Sequence, residues 1–177
     1  FKMIKINIKR GNIVNESADA IVNAAKSSLM GGGGVDGAIH TASGWEKLNE
    51  ACEKIGGCKT GEAVITPAFD IKQVKYIIHT VGPFCDIHTR NIGIPNDKEK
   101  EALYNCYYNS LQLGDRYGCR SISFPSVATG IYGFPLEYAP QIFLNAVRDY
   151  EKENKNIETV AMVCFDEDTE KAFSTIA

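Results

Sequence analysis

Residues 20–40 read AIVNAAKSSLMGGGGVDGAIH, and the reading of this stretch decides the fold. Ala20, Ile21 and Val22 form a short apolar run of the kind that ends a buried strand. Asn23, Ala24 and Ala25 follow, and then four consecutive glycines, Gly31, Gly32, Gly33 and Gly34. Val35, Asp36, Gly37, Ala38, Ile39 and His40 then read as the first turns of a helix. Four glycines cost backbone entropy and pack nothing. They allow a ligand to approach bare backbone N–H groups beside the positive end of a helix, which suits a phosphate or pyrophosphate. Asp36 and Asn23 next to that cradle point to handling of more than phosphate.

Strand and helix patterns alternate outward from this stretch. Residues 3–9 alternate at period two, as a strand with one wet face, and residues 20–23 are a short buried strand. Helices are expected from Gly34 to about Ser43 and over residues 45–55, the second stopped by Gly56 and Gly57. Residues 63–66 and 76–81 read as strands, 85–97 as a loop, and 98 to about 117 as the longest helix. A buried strand over 121–124 precedes Pro125 and a second glycine-bearing turn. A helix over 136–151, a strand over 159–165 and a helix over 167–176 complete the chain. The pattern predicts an α/β sheet covered on both faces. No linker, repeat or low-complexity tract divides the 177 residues, so one domain is expected.

Composition narrows the function classes. The net charge is −3 and no Lys/Arg run exceeds a pair, so the basic stripe of a duplex nucleic-acid binder is missing. No apolar stretch approaches the roughly 20 residues of a membrane span. Phe1, Lys2 and Met3 enter a strand pattern at once, so no signal peptide is expected, and the missing initiator methionine suggests a trimmed start. The six cysteines form no CxxC pair, and the three histidines form no HExxH. Neither a structural metal nor a disulfide framework is expected, and a reducing cytoplasmic or nuclear compartment fits best.

In open α/β sheets, ligands bind beyond the carboxyl ends of the strands. Two loops there have the right character: residues 23–37, and Ser126, Val127, Ala128, Thr129, Gly130, Ile131, Tyr132, Gly133, Phe134 and Pro135 after the 121–124 strand. Together they could grip a pyrophosphate from both sides through backbone donors and the Ser126 or Thr129 hydroxyl. Residues 32–37 also match GxGxxG, but no second strand ending in an acid follows about 20 residues on, and the Gly-Lys-Ser/Thr of a P-loop is absent.

Five segments in this order resemble the macrodomain family: Asn23-Ala24-Ala25, GGGGVDGAIH at 31–40, KTGEA at 59–63, IHTVGP at 78–83 and TGIYGFP at 129–135. GGGGVDGAIH is similar to the MacroD-type branch, and the resemblance runs from about residue 4 to the C-terminus. It implies a three-layer α/β/α fold with a mixed sheet and an ADP-ribose cleft. The activities it implies are hydrolysis of mono-ADP-ribose esters on Asp/Glu side chains and deacetylation of O-acetyl-ADP-ribose. The implied partners are ADP-ribose, its derivatives and mono-ADP-ribosylated proteins; no cofactor or metal is implied. Carried over by position, Gly31 to Val35 serve the pyrophosphate and distal ribose, and Ser126 to Tyr132 form the second phosphate loop. Phe134 lies against the distal ribose, and Phe165 packs on adenine. Asn23 matches the first Asn of the family's NAAN. Asp36 matches the acid that orients or deprotonates the attacking water, which the substrate's own phosphate also holds.

Three positions depart from that pattern. Lys26 replaces the second Asn of NAAN; its ammonium can pair with Asp36, or stabilise negative charge on a tetrahedral intermediate. Asn12, beside Ile13, replaces the Asp that accepts from the adenine amino group, keeping an acceptor but losing its charge. Ala128 stands where Ser is frequent. A non-catalytic ADP-ribose reader and an ADP-ribose-1″-phosphate phosphatase are the alternative functions. His40, one helical turn after Asp36, is expected as a packed, hydrogen-bonded side chain, and His79 as a structural one. The charged clusters at 98–101 and 151–155 are expected to be solvated helix surface.

Overall fold

A computed structural model describes residues 1–85 and 93–177; the part of the expected 85–97 loop that spans 86–92 lies outside the described residues. Six strands make one sheet: β1 (Lys5–Arg10), β2 (Ala18–Ala24), β3 (Ala63–Pro67), β4 (Val74–Thr80), β5 (Ser121–Phe124) and β6 (Thr159–Cys164). Their spatial order is β1-β6-β5-β2-β4-β3, with β3 antiparallel to β4 and every other pairing parallel. The five described helices are α1 (Gly34–Ser43), α2 (Trp45–Ile55), α3 (Asp97–Arg116), α4 (Ala139–Tyr150) and α5 (Glu167–Ser174). This is the expected α/β/α arrangement with a mixed sheet.

Alternation along the strands sends side chains to two cores. Ala20, Val22, Ile78, Ile122, Phe124 and Met162 face a core shared with Leu103, Tyr107 and Leu111 of α3 and Phe143 and Val147 of α4. Ile21, Ile77 and Val163 face a second core with Ile39 of α1 and Leu48 and Cys52 of α2. The central strands are thus buried on both faces, which explains why 20–22 reads as a continuous apolar run.

Local chemistry sets the helix ends. Asn96 caps α3 and exchanges hydrogen bonds with Glu99 in a capping box. Pro140 in the first turn fixes the start of α4, three residues later than the expected 136. The cluster at 151–155 is corrected: Glu151 is buried, accepting from the Ile4 N–H at 2.7 Å and from Arg148 at 2.8 Å. Asn154 is also buried and holds the Ile157 backbone. These two tie the end of α4 to β1 and to the entry of β6, a tertiary demand that helical charge patterning does not reveal. Among the described residues, no helix is long and apolar enough to cross a membrane.

Candidate functional site

The carboxyl ends of the parallel strands converge on a cleft of about 600 Å³, within the range of small-molecule sites. Gly11, Asn12 and Ile13 enter it after β1, Ala24, Ala25 and Lys26 after β2, and Gly82 after β4. Pro125, Ser126 and Ala128 to Tyr132 follow β5, and Phe165, Asp166 and Thr169 follow β6. The start of α1 forms the remaining wall through Gly33, Gly34, Val35, Asp36 and Ala38. Both glycine-bearing loops therefore meet at one place.

The start of α1 presents uncapped backbone N–H groups, which can meet an anion. Gly33 is its N-cap and has no side chain to occupy the free N–H groups of the first turn. Gly31 and Gly32 stand behind this wall. Gly31 adopts φ +91, and a Cβ there would come within 2.4 Å of Trp45. The Gly32 carbonyl packs so tightly against Gly37 that a Cβ on Gly37 would lie 2.5 Å from its oxygen. The glycines thus hold the loop flat on the helix.

The second loop is pinned from beneath. Ala128 takes φ +66, a left-handed conformation that is costly for a residue with a Cβ. Its carbonyl accepts from the Phe134 N–H at 2.9 Å, and the Ser126 and Thr129 hydroxyls share a 2.7 Å hydrogen bond. Val127 is fully buried, and its N–H donates to the Tyr107 hydroxyl at 3.1 Å, so that donor is already engaged. Phe134 departs from the expectation of a ribose contact. The turn through Gly133 (φ +74) carries its ring into the core, where it is 1 % exposed and absent from the cleft wall. Tyr132 takes that place on the wall, edge-on to the exposed Phe84 at 5.7 Å. Ile131, 91 % exposed, stands over the opening.

Asp36 is buried at the cleft wall. Its Oδ1 accepts from Asn23 Nδ2 at 2.9 Å and lies 3.1 Å from His40 Nδ1, while Oδ2 has no partner among the described residues. His40 Nδ1 also lies 2.9 Å from the Asp36 carbonyl oxygen. It faces two acceptors, so it carries the proton. Asn23 is wholly buried and meets the cleft only through Asp36. Its second contact is His79 Nδ1 at 3.1 Å, and His79 Nε2 reaches the Thr66 hydroxyl at 3.0 Å. Lys26 forms no ion pair with a described carboxylate. Its ammonium end lies instead across Gly32, within 2.9 Å of where a Cβ would sit. Of the two roles open to Lys26, the pairing with Asp36 is therefore not made.

Burial, with a smaller contribution from the His40 ring, holds His79 down to about 3 from its ordinary 6.5. Between those limits the unfolded chain binds a proton that the folded chain refuses. Stability from this group is complete above about pH 6.5 and falls as the pH drops toward 3, by ~1.4 kcal/mol per pH unit where the effect is steepest. Urea unfolding of the parent and of His79→Asn at pH 7 and pH 5 checks this. The parent is expected to lose more between the two; equal losses would remove His79 as the source.

At the other end, Phe165 presents a 75 % exposed ring beside Asn12 and Ile13. The Asn12 Oδ1 accepts from the Val14 N–H at 3.2 Å, capping a short 3-10 turn over Ile13–Asn15. Asp166 and Thr169 also line this end and escaped the sequence reading. Their signal is the N-cap pattern after Phe165, since Asp166 accepts from the Thr169 N–H at 2.8 Å. That hydrogen bond holds the Asp166 carboxyl below the usual carboxylate range. All six cysteines are buried thiols, and burial pushes Cys52 and Cys106 up to about 11, far from a nucleophile's range.

The Macro domain family pattern matches residues 22–143 of the chain. A macro domain-containing protein of Chlorobaculum tepidum is 48% identical over 162 residues, covering 92% of this chain and 89% of its own. O-acetyl-ADP-ribose deacetylase 1 of Pantoea vagans is 46% identical over 168 residues, covering 93% of each. Among solved structures, a mutant macrodomain of Oceanobacillus iheyensis with ADPR superposes with a TM-score of 0.84 at 39% identity. That match covers 95% of this chain and 89% of the other.

Proposed function

We propose that this chain, which belongs to the macrodomain family, binds ADP-ribose in the cleft and hydrolyses acyl esters of its distal ribose. The observation that carries the reading is Asp36: one carboxylate oxygen held by Asn23 and His40, the other unpartnered, beside the uncapped start of α1. The pyrophosphate lies between the α1 N-terminus and the loop from Ser126 to Tyr132, where backbone N–H groups meet its charge. Phe165 offers a face to the adenine ring, with Asn12, Ile13 and Asp166 at its edge. The substrates are mono-ADP-ribose esters on Asp/Glu side chains and O-acetyl-ADP-ribose; the name of the Pantoea relative supports the second of these.

Asp36 orients a water that the substrate phosphate also holds, and takes its proton as the water attacks. The water oxygen bonds to the acyl carbon, the bond from that carbon to the ribose oxygen breaks, and the proton taken by Asp36 passes to the departing oxygen, leaving a carboxylic acid and a ribose hydroxyl. Lys26 lies over the glycine loop with no carboxylate partner among the described residues, free to turn its ammonium toward an oxyanion. Nothing in this sequence of steps calls for a covalent nucleophile.

The test is release of acetate from O-acetyl-ADP-ribose, with ADP-ribose binding followed by calorimetry on the same preparation. Binding with turnover supports the hydrolase, and binding without turnover replaces it with a reader. The position of Lys26 favours keeping that second reading in view, because an ammonium here can also hold the product. As a catalytic group, Lys26→Asn is expected to lower kcat by about tenfold while ADP-ribose still binds. Under the reader alternative, the same variant gains hydrolysis. Phosphate release from ADP-ribose-1″-phosphate distinguishes the third reading, a phosphatase in the same cleft.

A further inference from the structure

Asn23 and His79 are register partners on the parallel strands β2 and β4, so their side chains leave the same face of the sheet. Thr66 lies on that face of β3, diagonal to His79 across the antiparallel pair in which Thr66 opposes Ile77 and Val64 opposes His79. The three make a polar stripe across an otherwise apolar surface, running Thr66–His79–Asn23 and ending on Asp36. All three are buried. Such a stripe within a core needs a reason, because each unmatched polar group there is costly.

We propose that His79, fixed by Thr66, is a positioning residue for the chemical step: its tautomer sets the orientation of the Asn23 amide, and that amide aims Asp36. This inference rests on the hydrolase reading above. The Asn23 amide has two possible orientations. As found, Nδ2 spends both of its hydrogens, one on Asp36 Oδ1 at 2.9 Å and one on His79 Nδ1 at 3.1 Å. That requires a bare Nδ1 on His79, and hence a proton on Nε2, which donates to the Thr66 oxygen at 3.0 Å. Were His79 protonated on Nδ1 instead, it would donate to the Asn23 oxygen, and the turned amide would face the Asp36 carboxylate with a second oxygen lone pair. The carboxylate would lose a donor and gain a repulsion. The Asn23 oxygen, in the orientation found, has no partner among the described residues. The arrangement therefore leaves one polar atom unmatched to keep Asp36 aligned.

Two substitutions separate the nitrogens. His79→Asn keeps an acceptor near the Nδ1 position and loses the contact to Thr66. His79→Gln keeps a donor near the Nε2 position and leaves Asn23 with nothing to fix its second N–H. With O-acetyl-ADP-ribose as substrate, His79→Gln is expected to lower kcat by about 10- to 100-fold with KM nearly unchanged. His79→Asn is expected to stay within a few-fold of the parent. A mere packing role predicts the reverse order or equal damage, since Asn leaves the larger void. The tautomer is read separately in the unaltered chain by long-range ¹H–¹⁵N correlation, with Nε2–H expected. A proton on Nδ1 overturns the proposal even if neither variant folds. A parent without turnover overturns the hydrolase reading and the positioning role with it. A parent that turns over with His79→Gln undiminished overturns the positioning role alone.

Discussion

Asp36→Ala is expected to lower hydrolysis of O-acetyl-ADP-ribose by about 10²- to 10⁴-fold, the ordinary span of a lost general base. ADP-ribose binding is expected to survive, because the proposed anion cradle is backbone: the α1 N-terminus and the loop after β5 do not depend on the carboxylate. Removing a negative charge beside an anionic ligand favours binding if it changes it at all. Asp36→Asn is the sharper control. It keeps the shape and the cleft, with its amide oxygen able to accept from both Asn23 and His40 and its Nδ2 in the unpartnered Oδ2 place, but it cannot take a proton. Stopped assays over the first turnovers, with calorimetric titration of ADP-ribose, measure both quantities. Parent-like turnover in either variant would sink the assignment of Asp36.

Gly37→Ala is expected to weaken ADP-ribose binding by about 10- to 100-fold, with a smaller loss of stability. In an exposed helix this change would gain up to ~1 kcal/mol from propensity. Here the new Cβ would lie 2.5 Å from the Gly32 carbonyl oxygen, which belongs to backbone and cannot rotate away. The loop must lift off the helix, at the ~1–3 kcal/mol typical of overpacking. Gly33 and Gly34 would move with it, disturbing the donors beside the pyrophosphate; each 1.4 kcal/mol lost there is about tenfold in affinity. Calorimetry and thermal melting separate the two effects. An unchanged affinity in a folded Gly37→Ala chain would show that the glycine loop is not the cradle.

Much of this was legible in the sequence because it lies in local chemistry. The apolar run 20–22, the glycines and the helix after them came out with boundaries within a few residues, since burial on two faces and bare backbone both leave marks in the chain. The two glycine-bearing loops that meet in the cleft are legible in the sequence, each following a buried strand. What escaped depends on distant partners. The spatial order of the strands and the antiparallel β3 follow from how the cores close, and no local pattern encodes them. Glu151 looks like any helix-surface acid until Ile4 and Arg148 claim it. Phe134 reads as an aromatic at a loop end, yet the Gly133 turn swings it inward. His79 was expected to be structural, and it is buried and hydrogen-bonded. Its link to Asp36 through Asn23 needed the β2–β4 register. Sequence leaves Lys26 open between pairing with Asp36 and meeting an oxyanion, and the glycine loop offers the ammonium another place to lie.

Trp45 is the chain's one tryptophan. Its ring centroid lies 4.6 Å from that of His40, tilted by 39°, while its edge closes over Gly31. An indole so placed is an optical reporter built into the site. Its emission depends on solvent access and on the packing around the ring, so light absorbed at Trp45 samples the glycine loop. Any movement of that loop on ligand entry can thus be followed as a change in emission, with no dye attached and no residue replaced.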